Sequence, residues 1–581
     1  MKKSIVILVI LFSIVSSENL VFSQSSGALM NESVLIQTDK DLYISGENLF
    51  FSFITLGSVG NSQLPISNFA YLVLRNNNNL NIVEAGLKLV NKKAYGTFII
   101  PDTLSSGVYQ LVGFTRMMRN FGEEAFFAKE LIVVNRFDRS FGTQQSLVYA
   151  SPLDERLKSQ VSTSSEIVTI TPSKSTFGPR EKIKINLRFS GNELCEYVSV
   201  SASVREQVPG GITSSLEFPS PSNEIVNKIA EKSRENKCVF FPEINGVIVS
   251  GIVKDSKTGN PLPGVDIFLS VPDTFSNLLH SESNSKGEFQ FLLNDYYENK
   301  TLYFTIRNIE NAALILDDKF SLSSVFSPSE PFFSKDLRDF IVKSQSISTV
   351  QKAFPSQEII DHKAEAKTAF RNEFYGLTDF TVRPVDYLSL VNFAEISKEI
   401  LPGVRLRNKE NFYTVNIFDR NSSKYYEESP AFFIDGVLVN KIDNLLPLNS
   451  EQITKIEYFT TERYIGQISF PGVLSVFTRD KIIAQTNNYP GQTRVQNISY
   501  LQRSGLNSIS FDSGEKISSP KPDFRQTLYW NPELKLTLGT NHSLEFYASD
   551  NIGTYEVVVS GITSQGMRFS TTQLININLP K

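Results

Sequence analysis

Along most of this chain, apolar and polar positions alternate with a period of two in short runs divided by turn residues, a pattern that predicts strands. Between 33 and 135 six runs read this way: 34–38, 49–55, 69–75, 96–100, 107–115 and 130–134. Short strands at that spacing indicate an antiparallel β-sandwich. The stretch 167–208 repeats the order. ITPSKSTFGPREKIKINLRFS follows the turn-then-strand sequence of TDKDLYISGENLFFSF, with Phe177 and Gly178 where the first copy has Tyr43, Ile44, Ser45 and Gly46. From 247 to 307, turns at 258–260, at Pro263 and Gly264 and at Lys286 and Gly287 divide further strands. In 430–480 an apolar run meets Asp435 and Gly436 and a second run follows at once, which is hairpin chemistry. A capped turn at 449–452 and strands at 453–459 and 472–478 make that stretch a small α+β module. Helical spacing is confined to 222–238, through Ile225 and Ile229, and to 356–375, through Ile359, Ile360, Ala364, Ala366 and Phe370. The polar stretch 137–156 reads as a linker and 317–393 as a connector.

The 581 residues correspond to about four domains at roughly 150 residues each. With 57 Lys and Arg against 61 Asp and Glu, the net charge of −4 argues against nucleic acid as a partner. Lys2 and Lys3 precede an apolar core over 5–15 and then Ser16 and Ser17, so residues 1–24 read as a signal peptide with cleavage after Ser17 or near Ser23. Export follows, to the periplasm in a gram-negative cell. Cys195 and Cys238 are compatible with one disulfide or with two buried thiols.

Four stretches carry resemblances. FIDGVLV, ITKIEYF, the Tyr-Ile-Gly at 464–466 and PGVLSVFTRD, with EILPGVRLR ahead of them, resemble the plug domain of TonB-dependent outer-membrane receptors. Residues 481–581 are too few for the barrel that follows such a plug. IQTDKDLYISGENLFFSF, YGTFIIPDTLSSGVYQLVGFT and RMMRNFGEEAFFAKELIVVN resemble the MG2-type domain of bacterial α2-macroglobulin relatives. VIVSGIVKDSKTGNPLPGVDIFLS, SNSKGEFQFLL and LYFTIRN resemble the carboxypeptidase regulatory-like domain, an accessory sandwich without catalytic residues. The C-terminal stretch resembles a further macroglobulin domain through Trp530, Phe546, Asp550 and Tyr555, with Trp530 read as a core anchor. The expected fold class is mainly β: a multi-domain chain of immunoglobulin- or macroglobulin-like β-sandwiches plus a small α+β plug-like domain. The expected divisions are a signal peptide at 1–24, sandwiches at 25–136, 161–245, 246–316 and 483–581, a linker at 137–160, a connector at 317–393 and the plug-like unit at 394–482.

Candidate chemistry is sparse. Neither cysteine stands in a Cys-Gly-Glu-Gln thioester motif, and G-x-S-x-G, H-E-x-x-H, C-x-x-C and phosphate-binding glycine motifs do not occur. His280, His362 and His542 each read as solvated residues, and Asp39 and Asp41 as a polar turn in preference to metal ligands. The expectation is therefore no enzyme, no cofactor and no metal. The resemblance to a plug implies a non-enzymatic scaffold that associates with an outer-membrane β-barrel protein or secretion translocon, for example that of the type IX pathway, and occludes its pore from the periplasmic side. Membrane contact is then only through the partner. The alternative is a periplasmic or surface module binding protein or glycan without a thioester, and a hydrolase with a convergent site is a third class. Partner contact is expected at Asp435, Gly436, Tyr464, Gly466, Pro471 and Gly472, while Asp435 and Gly436 also have the simpler reading of turn residues.

Overall fold

The computed structural model describes residues 30–59, 67–140, 167–190, 195–207, 239–274, 276–307, 309, 311–328, 335–354, 358–361, 376, 378–387, 389–409, 412–485, 491–507, 509–512, 519–537, 539–564 and 568–579. The expected signal peptide, most of the linker and the helix over 222–238 lie outside these residues. What is described is mainly β: three sandwiches and one α+β unit.

In the first sandwich, strands Met30–Thr38, Asn48–Val59 and Lys93–Ile99 form one sheet. Leu42–Ile44, Phe127–Val134, Gly107–Phe114, Phe69–Arg75 and Asn81–Lys88 form the facing one. Leu35, Phe51, Phe53, Leu72, Leu111 and Phe114 fill the space between them. The sheets approach closely at Gly113, where a Cβ would lie 2.4 Å from Ile36 Cδ1 and 2.8 Å from Phe53 Cε2, so a larger residue would have to displace those core side chains. The chain changes sheet at residues 39–41, because Leu42–Ile44 pairs parallel with Ile132, Val133 and Val134.

The second sandwich repeats that plan with two distant pieces of chain. Val168–Pro172, Lys182–Phe189 and Asn541–Tyr547 form one sheet; Thr176–Phe177, Arg568–Ile577, Gly553–Thr563, Cys195–Val204 and Thr527–Asn531 form the other. In Lys182–Phe189 every second side chain is buried, as its KIKINLRF alternation requires. Phe177 pairs parallel with Ile577, as Tyr43 does with Val133, so the repeat read between the two turns is structural. The expectation of separate sandwiches over 161–245 and 483–581 is corrected: Cys195–Val204 lies between Gly553–Thr563 and Thr527–Asn531, and neither piece closes a core alone.

Both sandwiches also carry a tyrosine corner. Tyr109 OH donates to the Ser105 carbonyl (2.8 Å) and Tyr555 OH to that of Asn551 (3.0 Å), each four residues upstream.

The third sandwich pairs Glu288–Leu293, Val247–Asp255 and Ala312–Leu316 against Leu279–Glu282, Asp266–Ser270, Thr301–Ile306 and Gln492–Gln496. The last strand comes from beyond the α+β unit, a second departure from the expected 483–581 division. Within 356–375 the structure places Glu358–Asp361 as a strand paired with Ser504–Asn507, correcting the helical reading there; 362–375 lie outside the described residues. The helix in this region is Lys335–Ala353, seated on the second sandwich through Phe340 and Ile341.

Completion of the second sandwich by the C-terminal strands is testable. A chain ending at 526 is expected to lose amide protection across Lys182–Phe189 and Cys195–Val204 while Phe69–Arg75 and Gly107–Phe114 stay protected. Hydrogen exchange on the two chains measures the contrast.

Candidate functional site

The α+β unit is built around the parallel pair Ala431–Ile434 and Val473–Thr478, in register Ala431↔Val473 to Ile434↔Val476. Val437–Val439, Ile453–Phe459 and Phe380–Val382 complete its five-stranded sheet. Helix Phe393–Ile400 covers one face with Phe393 and Ile396. Asn392 caps it, Oδ1 accepting from Glu395 N–H (2.9 Å), while Glu395 Oε2 accepts from Val391 N–H (3.1 Å). Strands Val404–Lys409, Phe412–Asp419 and Lys424–Tyr425 form a small side sheet.

Asp435 and Gly436 turn the hairpin with φ of 49° and 85°, the two positive values of a type I′ turn, which an Asp-Gly pair supplies with little strain. Asp435 is 0% exposed. Its carboxylate accepts from Thr478 N–H (2.7 Å) and from Thr478 Oγ1 (2.8 Å to Oδ2), tying the turn to the end of the parallel strand. Gly436, Pro471 and Gly472 are buried too. The expectation that these four residues contact a partner is corrected: they hold the unit together from inside. Tyr464, 60% exposed, and Gly466 remain at the surface, on the hairpin Arg463–Ile465 and Ile468–Phe470. That hairpin rests on an apolar base: Phe470 is buried in one cluster with Phe433, Leu438 and Phe459, and Ile465 and Ile468 pack against that cluster. Tyr464 OH donates to the Glu462 carboxylate, which holds the phenol above its ordinary pKa.

One face of the unit is docked on the third sandwich. Leu438 N–H donates to Ser270 Oγ (3.1 Å), Thr305 Oγ1 to the Leu438 carbonyl (2.9 Å) and Asn440 Nδ2 to that of Ile306 (2.8 Å). Phe268 and Leu278 of the sandwich share an apolar cluster with Ala431, Phe433 and Leu438. Directional bonds around an apolar centre fix the unit's orientation.

The other candidates are dispersed. His280 Nε2 lies 2.8 Å from Asp266 Oδ1 on the neighbouring strand, and His542 Nε2 accepts from Thr537 N–H (2.9 Å) within a turn. His362 and Cys238 lie outside the described residues. Cys195 is half-buried, and burial pushes its thiol up to about 11. Trp530, Phe546 and Tyr555 are buried in the second sandwich, and Asp550 pairs with Arg180 (2.7 Å).

Asp39 and Asp41 do more than end a turn. The Asp39 carboxylate accepts from Tyr43 OH (2.8 Å), Phe50 N–H (3.1 Å) and Thr527 Oγ1 (2.6 Å), and burial holds it above its ordinary pKa. Asp41 pairs with Lys129 (2.5 Å). Together they form a polar joint between the first two sandwiches. Among the described residues no group of three or more His, Cys, Asp or Glu is placed to hold a metal ion. Sequence reasoning missed a second buried group, Tyr71, Arg116, Glu243 and Lys319, whose members come from four separate segments and share no motif.

Asp435→Ala is expected to destabilise the protein by about 3 kcal/mol, since it strands the buried Thr478 N–H and hydroxyl. Tyr464→Ala should change stability by no more than about 0.5 kcal/mol. Urea unfolding of both variants checks the difference.

No family model and no curated protein matches the chain. Among solved structures, native Escherichia coli α2-macroglobulin is 9% identical over 96% of this chain and 40% of its own, with a TM-score of 0.24. The elastase-activated E. coli form gives 8%, 95%, 44% and 0.24, and Salmonella α2-macroglobulin reacted with methylamine 8%, 96%, 24% and 0.15. This chain spans less than half the length of each, and at these TM-scores the likeness carries no argument beyond the β-domain fold already described.

Proposed function

We propose that this chain is an exported, non-enzymatic scaffold whose α+β unit engages an outer-membrane β-barrel protein and occludes its pore from the periplasmic side. One observation carries the reading. The unit is anchored on the third sandwich by hydrogen bonds and an apolar seam, while the hairpin bearing Tyr464 and Gly466 projects from its surface. A stopper needs a fixed base and an exposed, shape-defined tip, because a loosely tethered tip loses binding free energy to ordering. Tyr464 supplies the kind of side chain that anchors interfaces, a large rigid ring with a polar end. The resemblance of 430–480 to receptor plugs supports the same partner class, a barrel wide enough to hold a folded unit.

Purification from detergent-solubilised outer membranes tests the proposal. The expected result is recovery with a large β-barrel protein, and about tenfold weaker association for Tyr464→Ala, the usual loss for a contact aromatic. Recovery as a lone soluble monomer under every extraction condition would refute it.

A further inference from the structure

The first and third sandwiches meet along a seam crossed by three segments of chain. The run 239–246 enters along the first sandwich, where Val239 and Phe240 N–H donate to Asn120 Oδ1 (2.9 Å each) and Asn68 N–H to the Glu243 carbonyl (2.8 Å). The run 317–326 leaves the third sandwich and is clamped to the first. There Arg119 holds the Lys319 and Ser321 carbonyls, and Glu123 accepts from Ser324 N–H (2.9 Å). The run 497–503 returns, Leu501 N–H donating to the Gly86 carbonyl (2.8 Å) and the Tyr500 ring packing against that of Phe69 at a 40° tilt.

Where the three runs converge lies a knot of ionisable groups. Glu243 is 0% exposed and accepts from Tyr71 OH and from Ile248 N–H, both at 2.7 Å. The first sandwich thus holds one carboxylate oxygen and the first strand of the third sandwich the other. Arg116, from the first sandwich, and Lys319, from the departing run, act on that carboxylate as cations. Arg116 itself reaches Ser250 of the third sandwich (3.3 Å), which donates to Asp317 (2.6 Å). Tyr500, on the returning run, interacts with both Asp295 and Glu243, and Arg119 has Tyr71, Arg116, Glu123 and Asp318 as its charged or titratable neighbours. Lys319 Nζ is buried and has no hydrogen-bond partner among the described residues. A buried ammonium without a bond is held at a loss.

We propose that the Glu243–Lys319 knot is a proton-controlled catch on this seam, loosest while both groups are charged and tightened when Lys319 gives up its proton. The charge states support it. Burial lowers the Lys319 ammonium from 10.5 to about 8, so the closed seam disfavours the cation; that loss is fully present below pH 8 and is removed as pH rises toward 10.5. Burial raises the Glu243 carboxyl, so its contribution runs the other way: the closed seam gains as pH falls through the raised value. Between the raised Glu243 value and about 8, where both groups are charged, the seam opens most readily.

Hydrogen exchange on the full chain tests this at the Asn68 and Ile248 amides, both bonded to Glu243, from pH 7 to 9.5 with intrinsic exchange corrected. In the unmodified protein the opening equilibrium should fall by up to about tenfold per pH unit above pH 8, the slope for one released proton. Lys319→Met, which removes the titrating ammonium, should lose the slope above pH 8. Lys319→Arg, a cation throughout the range, should stay as open as the unmodified protein at pH 7, also without slope; it carries the test if the Met variant does not fold. The same slope in either variant as in the unmodified protein would overturn the proposal, as would a flat profile in the unmodified protein itself.

Discussion

Closure of the second sandwich by strands from the far end of the chain is the constraint on which the rest of the architecture depends. Ser203 and Thr527 lie within hydrogen-bonding distance although 324 positions separate them, and Thr527 also reaches Asp39 in the first sandwich. The third sandwich and the α+β unit lie within that span, so they form a loop whose ends must come back together. Closing so long a loop costs only logarithmically more than closing a short one, which is why whole domains are tolerated inside it. The demand falls on geometry. Straps that run along the first sandwich at 239–246, 317–326 and 497–503 bring the returning chain to the right edge.

The repeated turn shows how one sequence device takes different energetic roles. Lys40 pairs with Glu47 and Lys174 with Glu181, at 2.7 and 2.6 Å and seven positions apart in each case. Each glutamate also accepts a backbone N–H three residues earlier, from Ile44 at 3.0 Å and Gly178 at 2.7 Å. In the second copy that N–H bond, with Lys174 beside it, holds the Glu181 carboxyl below its ordinary range. The first pair is enclosed against Gln207 of the second sandwich, where breaking one partner leaves an uncompensated buried charge. The second pair faces solvent and contributes little to stability, its value lying in the local shape of the turn.

What the sequence disclosed follows from how each signal is generated. Strands buried on one face are legible because alternation is local, as in Lys182–Phe189, and so is the Asp-Gly hairpin, because a type I′ turn restricts which residues fit. Strand Asn81–Lys88 escapes notice because only Ala85, Gly86 and Leu87 are buried in it. Helix Lys335–Ala353 escapes for a different reason: beside Phe340 and Ile341 it buries Ser344, Gln345 and Ser348, so its inward face lacks an apolar stripe. Gln345 instead donates to the Asn135 and Asp138 carbonyls (3.1 and 2.7 Å), partners invisible to any local pattern. The same limit explains the candidate site. Tyr464 and Asp435 look alike as conspicuous turn-side residues in a sequence, and only tertiary closure buries one and exposes the other. Sharing of the second sandwich between distant segments leaves no local trace, since each half has the strand pattern of a complete sandwich.

Among the described residues, Asp39 and Lys40 place buried charge at the joint between the first two sandwiches and Glu243 at the joint between the first and third, while Glu32, Asp435 and the Asp523–Arg525 pair are buried within single units. The sandwich interiors are filled mainly by aliphatic and aromatic side chains. Apolar contact alone is non-directional and fixes an interface only through shape, so two smooth sandwich faces would have several nearly equivalent ways to meet. A carboxylate that must accept from Tyr43, Phe50 and Thr527 at once leaves one arrangement satisfied and strands buried polar groups in the others. The desolvation loss is carried where it selects geometry. The described domains therefore owe cohesion to their apolar interiors and register to the polar joints between them.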